Sequence, residues 1–272
     1  MRKIALHQLE SLFAAIEENA ALYLPVDTAA GAKFERWARG KTLSDALNTV
    51  RSPKDFFFPQ TENLMDFKVE GKQIEIIDTR KESEDFVVFG VRACDVKSFD
   101  ILDRVFLSEP VDTYYKNRRE HGVIFSLACT RPAETCFCGT FGIDAANPAG
   151  DVACWKTEDA LYLDAKTEKG AALLAKLEAV TEPAETEPVE AQKAQTAERL
   201  AKLPLADLKA DAFGDGKTSA FFNAPEWKSL SESCLGCGTC TFVCPTCQCY
   251  DIKDFNTGHG VKRFRCWDSC MY

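Results

Sequence analysis

Apolar and polar residues alternate along FKVEGKQIEII (residues 67–77), with Val69, Ile74 and Ile76 spaced by the strand period, which predicts a β-hairpin turning at Gly71. DFVVFGV (85–91) follows, a short continuous apolar run of the kind a buried strand shows. In VKSFDILDRVF the residues Val96, Phe99, Leu102 and Phe106 recur with the helical period, and Asp95 stands in the N-cap position. VIFSLA (123–128) is a second buried-strand candidate and ends directly on Cys129. At the start of the chain Leu9, Leu12, Phe13, Ile16 and Ala20 share one face, so the opening stretch reads as a helix.

This order predicts an α/β N-terminal domain over 1–163. If the strands ending before Cys94 and Cys129 are parallel neighbours joined by the intervening helix, both thiols emerge at the carboxyl edge of one sheet, where open α/β sheets bind ligands. The loop TRPAETCFCG returns Cys136 and Cys138 to that edge. From 164 to 220 the composition turns to Ala, Glu, Lys, Thr and Pro, which predicts an acidic, solvated helical connection with little to bury. Residues 221–272 form a C-terminal, ferredoxin-like, cysteine-rich α+β module.

Composition narrows the function. A formal charge of −9 argues against nucleic-acid binding, which draws its affinity from phosphate neutralisation by Lys and Arg. No apolar run is long enough to insert in a membrane, and polar residues interrupt any signal core at the N-terminus. Thirteen cysteines without a secretion signal point to a cytoplasmic protein whose reduced thiols serve metal or redox chemistry.

Eight of the thirteen lie in the last fifty residues. Cys234, Cys237, Cys240 and Cys244 are spaced x2, x2 and x3, with Pro245 next. Such short spacers let a glycine-assisted loop place three thiolates on one iron-sulfur cube, and in ferredoxins the fourth cysteine ligates the other cluster of a pair. A zinc ribbon calls for two Cys-x2-Cys pairs across a longer spacer and fits poorly; a thioredoxin pair fits less well still. Cys247 and Cys249 add a Cys-x-Cys pair, and Cys270 closes WDSC behind the basic residues Lys262, Arg263 and Arg265, which are candidates for raising a cluster potential or docking an acidic partner. The ligand candidates are therefore Cys234, Cys237, Cys240, Cys244, Cys247, Cys249 and Cys270. Cys94, Cys129, Cys136 and Cys138 are weighed between a second cluster site, shared with thiols of the C-terminal module, and simple packing. Cys154 and Cys266 are expected to be structural.

The segments SPKDFFFPQTENL (52–64), FGVRACDVKSFDILDRVFL (89–107), DTYYKNRRE (112–120), CFCGTFG (136–142), CLGCGTCTFVCPTCQCYD (234–251) and RCWDSCM (265–271) together resemble the non-catalytic iron-sulfur component of anaerobic sulfite reductase and the beta subunit of archaeal sulfhydrogenases. The resemblance implies a cytoplasmic electron-transfer subunit of anaerobic metabolism, holding at least one 4Fe-4S cluster and more readily two, inside a hetero-oligomer with a catalytic or flavin-bearing subunit or a ferredoxin. It also implies a second ferredoxin motif beyond WDSCM, whereas this sequence ends at Tyr272, so a complete pair needs thiols from elsewhere.

No nucleotide-binding glycine motif occurs, so FAD or NAD(P) is expected only on a partner, and no catalytic residues are assigned. Two other readings stand beside the relay: an iron-sulfur enzyme acting on a disulfide or sulfur substrate at the Cys129, Cys136 and Cys138 edge, and a redox-sensing protein whose cluster only holds the fold. Phe56, Phe57 and Phe58 read as a core plug, and Arg118, Arg119 and Glu120 as a solvated helix face.

Overall fold

The computed structural model describes residues 1–211 and 213–270, with nothing described for the side chains of Lys81 and Glu82; Met271 of the WDSCM segment and Tyr272 lie outside the described residues. The chain opens with β1 (Arg2–Ala5), α1 (Leu9–Glu17), β2 (Ala21–Thr28) and β3 (Gly31–Arg36). A short helix α2 (Lys54–Phe57) leads into the hairpin β4 (Thr61–Glu70) and β5 (Gln73–Asp78), then β6 (Phe86–Val91), α3 (Ala93–Phe106), α4 (Thr113–His121) and β7 (Gly122–Leu127). β8 (Val152–Lys156) and β9 (Ala160–Ala165) precede α5 (Glu168–Lys176), β10 (Glu182–Pro183) and α6 (Glu187–Ala201). The C-terminal part holds α7 (Glu226–Ser231), α8 (Thr239–Val243), β11 (Tyr250–Asn256) and β12 (Gly260–Trp267).

The first sheet runs β10-β1-β9-β8-β7-β6-β2-β3. Its centre is parallel, since β6 pairs in parallel with β2 and β7, and β7 with β8. Every residue of β6 is buried because both faces are covered. Val87 and Phe89 point to one side, where Leu12, Phe13 and Ile16 of α1 and Leu173 and Leu174 of α5 meet them. Phe86 and Val88 point to the other, against Phe57, Phe58 and the α3 stripe Val96, Phe99, Leu102 and Phe106. Phe57 and Phe58 are fully buried, and truncating either to Ala costs about 3–5 kcal/mol.

The second sheet, β11-β12-β4-β5, draws its strands from both ends of the chain: β12 pairs antiparallel with β4 over most of its length, from Gly260 opposite Lys68 to Cys266 opposite Thr61. The cysteine module therefore does not fold beside the N-terminal part but completes a sheet with it. Arg265 is buried, donates to Glu62 at 2.8 Å and pairs with Asp112, which also caps α4 by accepting from Tyr114 and Tyr115.

Several local expectations need correction. The first residues form a strand, because β1 satisfies the open edge of β9 and buries Ile4. Asp95 lies inside the first turn of α3, whose N-cap is Arg92. The acidic stretch is not wholly solvated, since Leu173, Leu174 and Leu177 join the core, β10 pairs with β1, and α6 buries Val189 and Thr196. Arg118 and Arg119 are not a solvated face: Arg118 pairs with buried Glu62 at 2.6 Å, and Arg119 forks onto Asp103 over the ring of Phe57. Ile74 and Ile76 do share a face of β5, and it is exposed.

Candidate metal centre

The Cys234–Cys240 loop turns through Gly236 and Gly238 at φ of 66° and 68°, left-handed values that favour glycine. Gly238 starts α8, which carries Cys240. Cys234, Cys237 and Cys240 are all exposed, and none is in a disulfide. The Thr239 hydroxyl lies 3.2 Å from Cys237 Sγ, and with the Thr239 amide it pulls the thiol below its ordinary value, favouring the thiolate that binds metal.

Cys244, Cys247 and Cys270 make a second group. Burial raises the Cys244 thiol, but hydrogen bonds from Thr246, whose hydroxyl is 3.2 Å from Sγ, and from Cys247 bring it below the ordinary value. The Cys247 thiol is pushed up to about 11, first by burial, then by its bond to Cys244 and by that thiol's charge, with Cys270 adding to the rise. Lys54, which carries no signal in the sequence, reaches across from α2: its ammonium donates to the carbonyls of Cys244 at 2.9 Å and Cys247 at 3.0 Å, and lies 3.7 Å from the centre of the Trp267 ring. A lone lysine in a helix has no pattern that marks this role, since only the tertiary fold brings it there. Cys249 is exposed, and its carbonyl accepts from the Asp268 amide at 3.0 Å, which ties it to the Cys270 end.

The basic patch is neutralised. Arg263 forks onto Asp254, Lys262 lies 3.8 Å from Asp66, and Arg265 is inside the fold. Cys154 is fully buried in β8, as a packing residue is, and Cys266 is half-buried in β12.

At the first sheet, β6 and β7 are the parallel neighbours anticipated, joined through α3 and α4. Cys94 therefore sits in the first turn of α3, and Cys129 just past β7. Cys138 opens a single 3-10 turn, Cys138–Phe141, and Cys136 precedes it. Cys94 is exposed, yet the atoms crowding its thiol, then the charges of Asp95, Cys138 and Cys129, push it up to about 12. Burial pushes Cys129 up, with Arg92 opposing and Cys138 and Cys136 adding. Cys138 is raised by burial and by Cys136.

Among the described residues, no three His, Cys, Asp or Glu side chains converge as a single metal ion requires. A donor set made of thiols alone, wrapped by glycines and supplied with hydrogen bonds to sulfur, suits iron-sulfur clusters instead. No helix among the described residues is long and apolar enough to cross a membrane.

Comparison with known proteins agrees with this chemistry. A family model described as a 4Fe-4S dicluster domain matches residues 233–272. Over its whole length the chain is 32% identical to sulfhydrogenase 2 subunit beta of Pyrococcus furiosus, of which it spans 80%. No solved structure matches. Thiol spacing, the dicluster match and full-length similarity converge: the chain belongs to the sulfhydrogenase beta-subunit family and is an iron-sulfur electron-transfer subunit of an oxidoreductase.

Proposed function

We propose that the chain relays single electrons between a flavoprotein or ferredoxin partner and the catalytic subunit of a multi-subunit cytoplasmic oxidoreductase. Cys234, Cys237 and Cys240 hold one four-iron cluster; Cys244, Cys247, Cys249 and Cys270 are the donors for completing it and for a second. Bound clusters of this kind accept and release one electron with no bond made or broken in a substrate. The chain's own residues prepare the site: Thr239 and Thr246 donate toward sulfur, and Lys54 places a fixed cation behind the Cys244 and Cys247 backbone. The observation that carries this reading is the grouping of Cys244, Cys247 and Cys270 against the buried ammonium of Lys54, next to the exposed Cys-x2-Cys-x2-Cys loop.

The test is anaerobic purification with iron and acid-labile sulfide counted per chain, EPR of the reduced sample, and identification of co-purifying subunits. Reducible clusters that Cys237→Ser diminishes, together with a flavin-bearing or catalytic partner, are expected. Zinc without sulfide, or clusters that no physiological donor reduces, would overturn the reading.

A further inference from the structure

We propose that Cys94, Cys129, Cys136 and Cys138 form a separate four-thiolate site for an iron-sulfur cluster at the carboxyl edge of the first sheet. It goes beyond the C-terminal module, which the dicluster match covers and these residues do not touch in sequence.

Three segments of chain bring the thiols together. Parallel β6 and β7 end side by side, so the start of α3 delivers Cys94 and the exit of β7 delivers Cys129, while the following loop folds back with Cys136 and Cys138. The loop closes back on the end of β7, the Cys129 amide donating to the Ala145 carbonyl at 2.9 Å and the Ile143 amide to that of Cys138 at 3.1 Å, and each of the four thiols lies within electrostatic reach of at least one other. None is in a disulfide.

Packing does not explain the group. Cys154 shows what a packing cysteine looks like here: wholly enclosed, perturbed by burial alone. By contrast Cys94 is exposed and Cys136 and Cys138 are half-exposed, so three of the four thiols would give up little by being replaced, were apolar contact their purpose. A single zinc ion fits no better. Its thiolates sit about 2.3 Å from the metal, and no three donors here converge so tightly. A four-iron cluster spreads its ligands more widely, at the corners of a cube.

Two groups favour anionic sulfur here, against the burial and neighbouring charges that raise these thiols. Arg92, at the N-cap of α3, anchors itself on the carbonyls of Leu47 at 3.1 Å and Ala128 at 3.1 Å, and its charge favours the Cys129 thiolate. The Ala133 amide donates to Cys136 Sγ at 3.3 Å. Amide and guanidinium bonds to sulfur are among the contacts that stabilise a thiolate cluster and set its potential. The loop is braced from outside: Thr196 of α6 donates to the Cys129 carbonyl at 2.9 Å, Arg199 to that of Thr130, and Thr140 to that of Leu208 at 2.8 Å.

The full-length chain, prepared anaerobically, tests this in two ways. In the native protein, iodoacetamide should leave Cys94, Cys136 and Cys138 unmodified until iron is chelated, after which peptide mapping should find all three alkylated. The double variant Cys136→Ser with Cys138→Ser should lose about four iron and four sulfide per chain while the EPR signals lost in Cys237→Ser remain. Alkylation of the three thiols in native wild-type protein, zinc bound there without sulfide, or an unchanged iron content in the double variant overturns the proposal. Because Cys237→Ser reports the C-terminal module independently, either site can fail without the other.

Discussion

Lys54 lies 3.7 Å from the ring centre of Trp267 and donates to the backbone carbonyls of Cys244 and Cys247, so the N-terminal α/β unit contributes a buried cation to the C-terminal thiols. Two carbonyls and an aromatic face solvate the ammonium, while burial, and after it the charge of Arg51, pull in the other direction and lower its pKa. A fixed positive charge near a cluster favours its reduced form. Lys54→Met should move the midpoint potential of the adjacent cluster downward by roughly 40–90 mV, which corresponds to about 1–2 kcal/mol at an effective dielectric near 20. Redox titration followed by EPR measures this, and Lys54→Arg, which keeps the charge, should restore part of the shift.

The Thr239 hydroxyl acts on Cys237 directly. Thr239→Val keeps the branched shape but removes the oxygen, so the thiol should return toward its ordinary value and iron should load more slowly from ferrous ion and sulfide. The reconstituted cluster should titrate lower by on the order of tens of millivolts. Thr239→Ser should behave as wild type in both measurements.

Arg265 joins the two ends of the chain through Glu62 and Asp112. Removing it leaves two carboxylates facing the interior with one partner fewer, and loss of one member of a buried charged set costs about 3–5 kcal/mol. Arg265→Ala should therefore lower the urea midpoint strongly and open the β11–β12 hairpin to limited proteolysis. Arg263→Ala, which removes an exposed surface pair with Asp254, should leave the urea midpoint close to that of wild type.

Burial holds the Asp55 carboxyl above the ordinary carboxylate range, and the Arg51 guanidinium at 2.8 Å offsets this only in part. A carboxyl raised on folding keeps its proton longer in the folded chain than in the unfolded one. Its contribution is full below the unfolded value of about 4 and is lost as pH rises through the raised value. Asp55→Asn should remove that loss, so the variant should gain stability relative to wild type as pH is raised from about 4.5 to 7. Urea midpoints across this range would contradict the account if the variant instead fell behind.

What can be read from the sequence follows the reach of each signal. The helical stripe of α3 and the apolar runs of β6 and β7 are local, and by themselves they place Cys94 and Cys129 at one sheet edge. The Cys-x2-Cys-x2-Cys spacing is local too, because a single loop makes it. Lys54 is invisible in the sequence since its partners lie 190 and 193 positions away. Arg265 looks like part of an exposed basic patch for the same reason: Glu62, its partner, is 203 positions away in sequence, and most of the rings that cover it, Phe58 and Phe106 among them, are distant in sequence too. The strand at Arg2–Ala5 escapes notice because edge pairing with β9, and not the chain's own periodicity, decides its conformation.

The pairing of β4 with β12 governs when this molecule can mature. On the ribosome, the Glu62 strand emerges long before Arg265, 203 positions later, so it waits with one edge unpaired until its neighbour has been made. The same closure brings Lys54 against the Cys244 and Cys247 carbonyls, so this cationic support for the C-terminal thiols exists only once both halves of the sheet have been made.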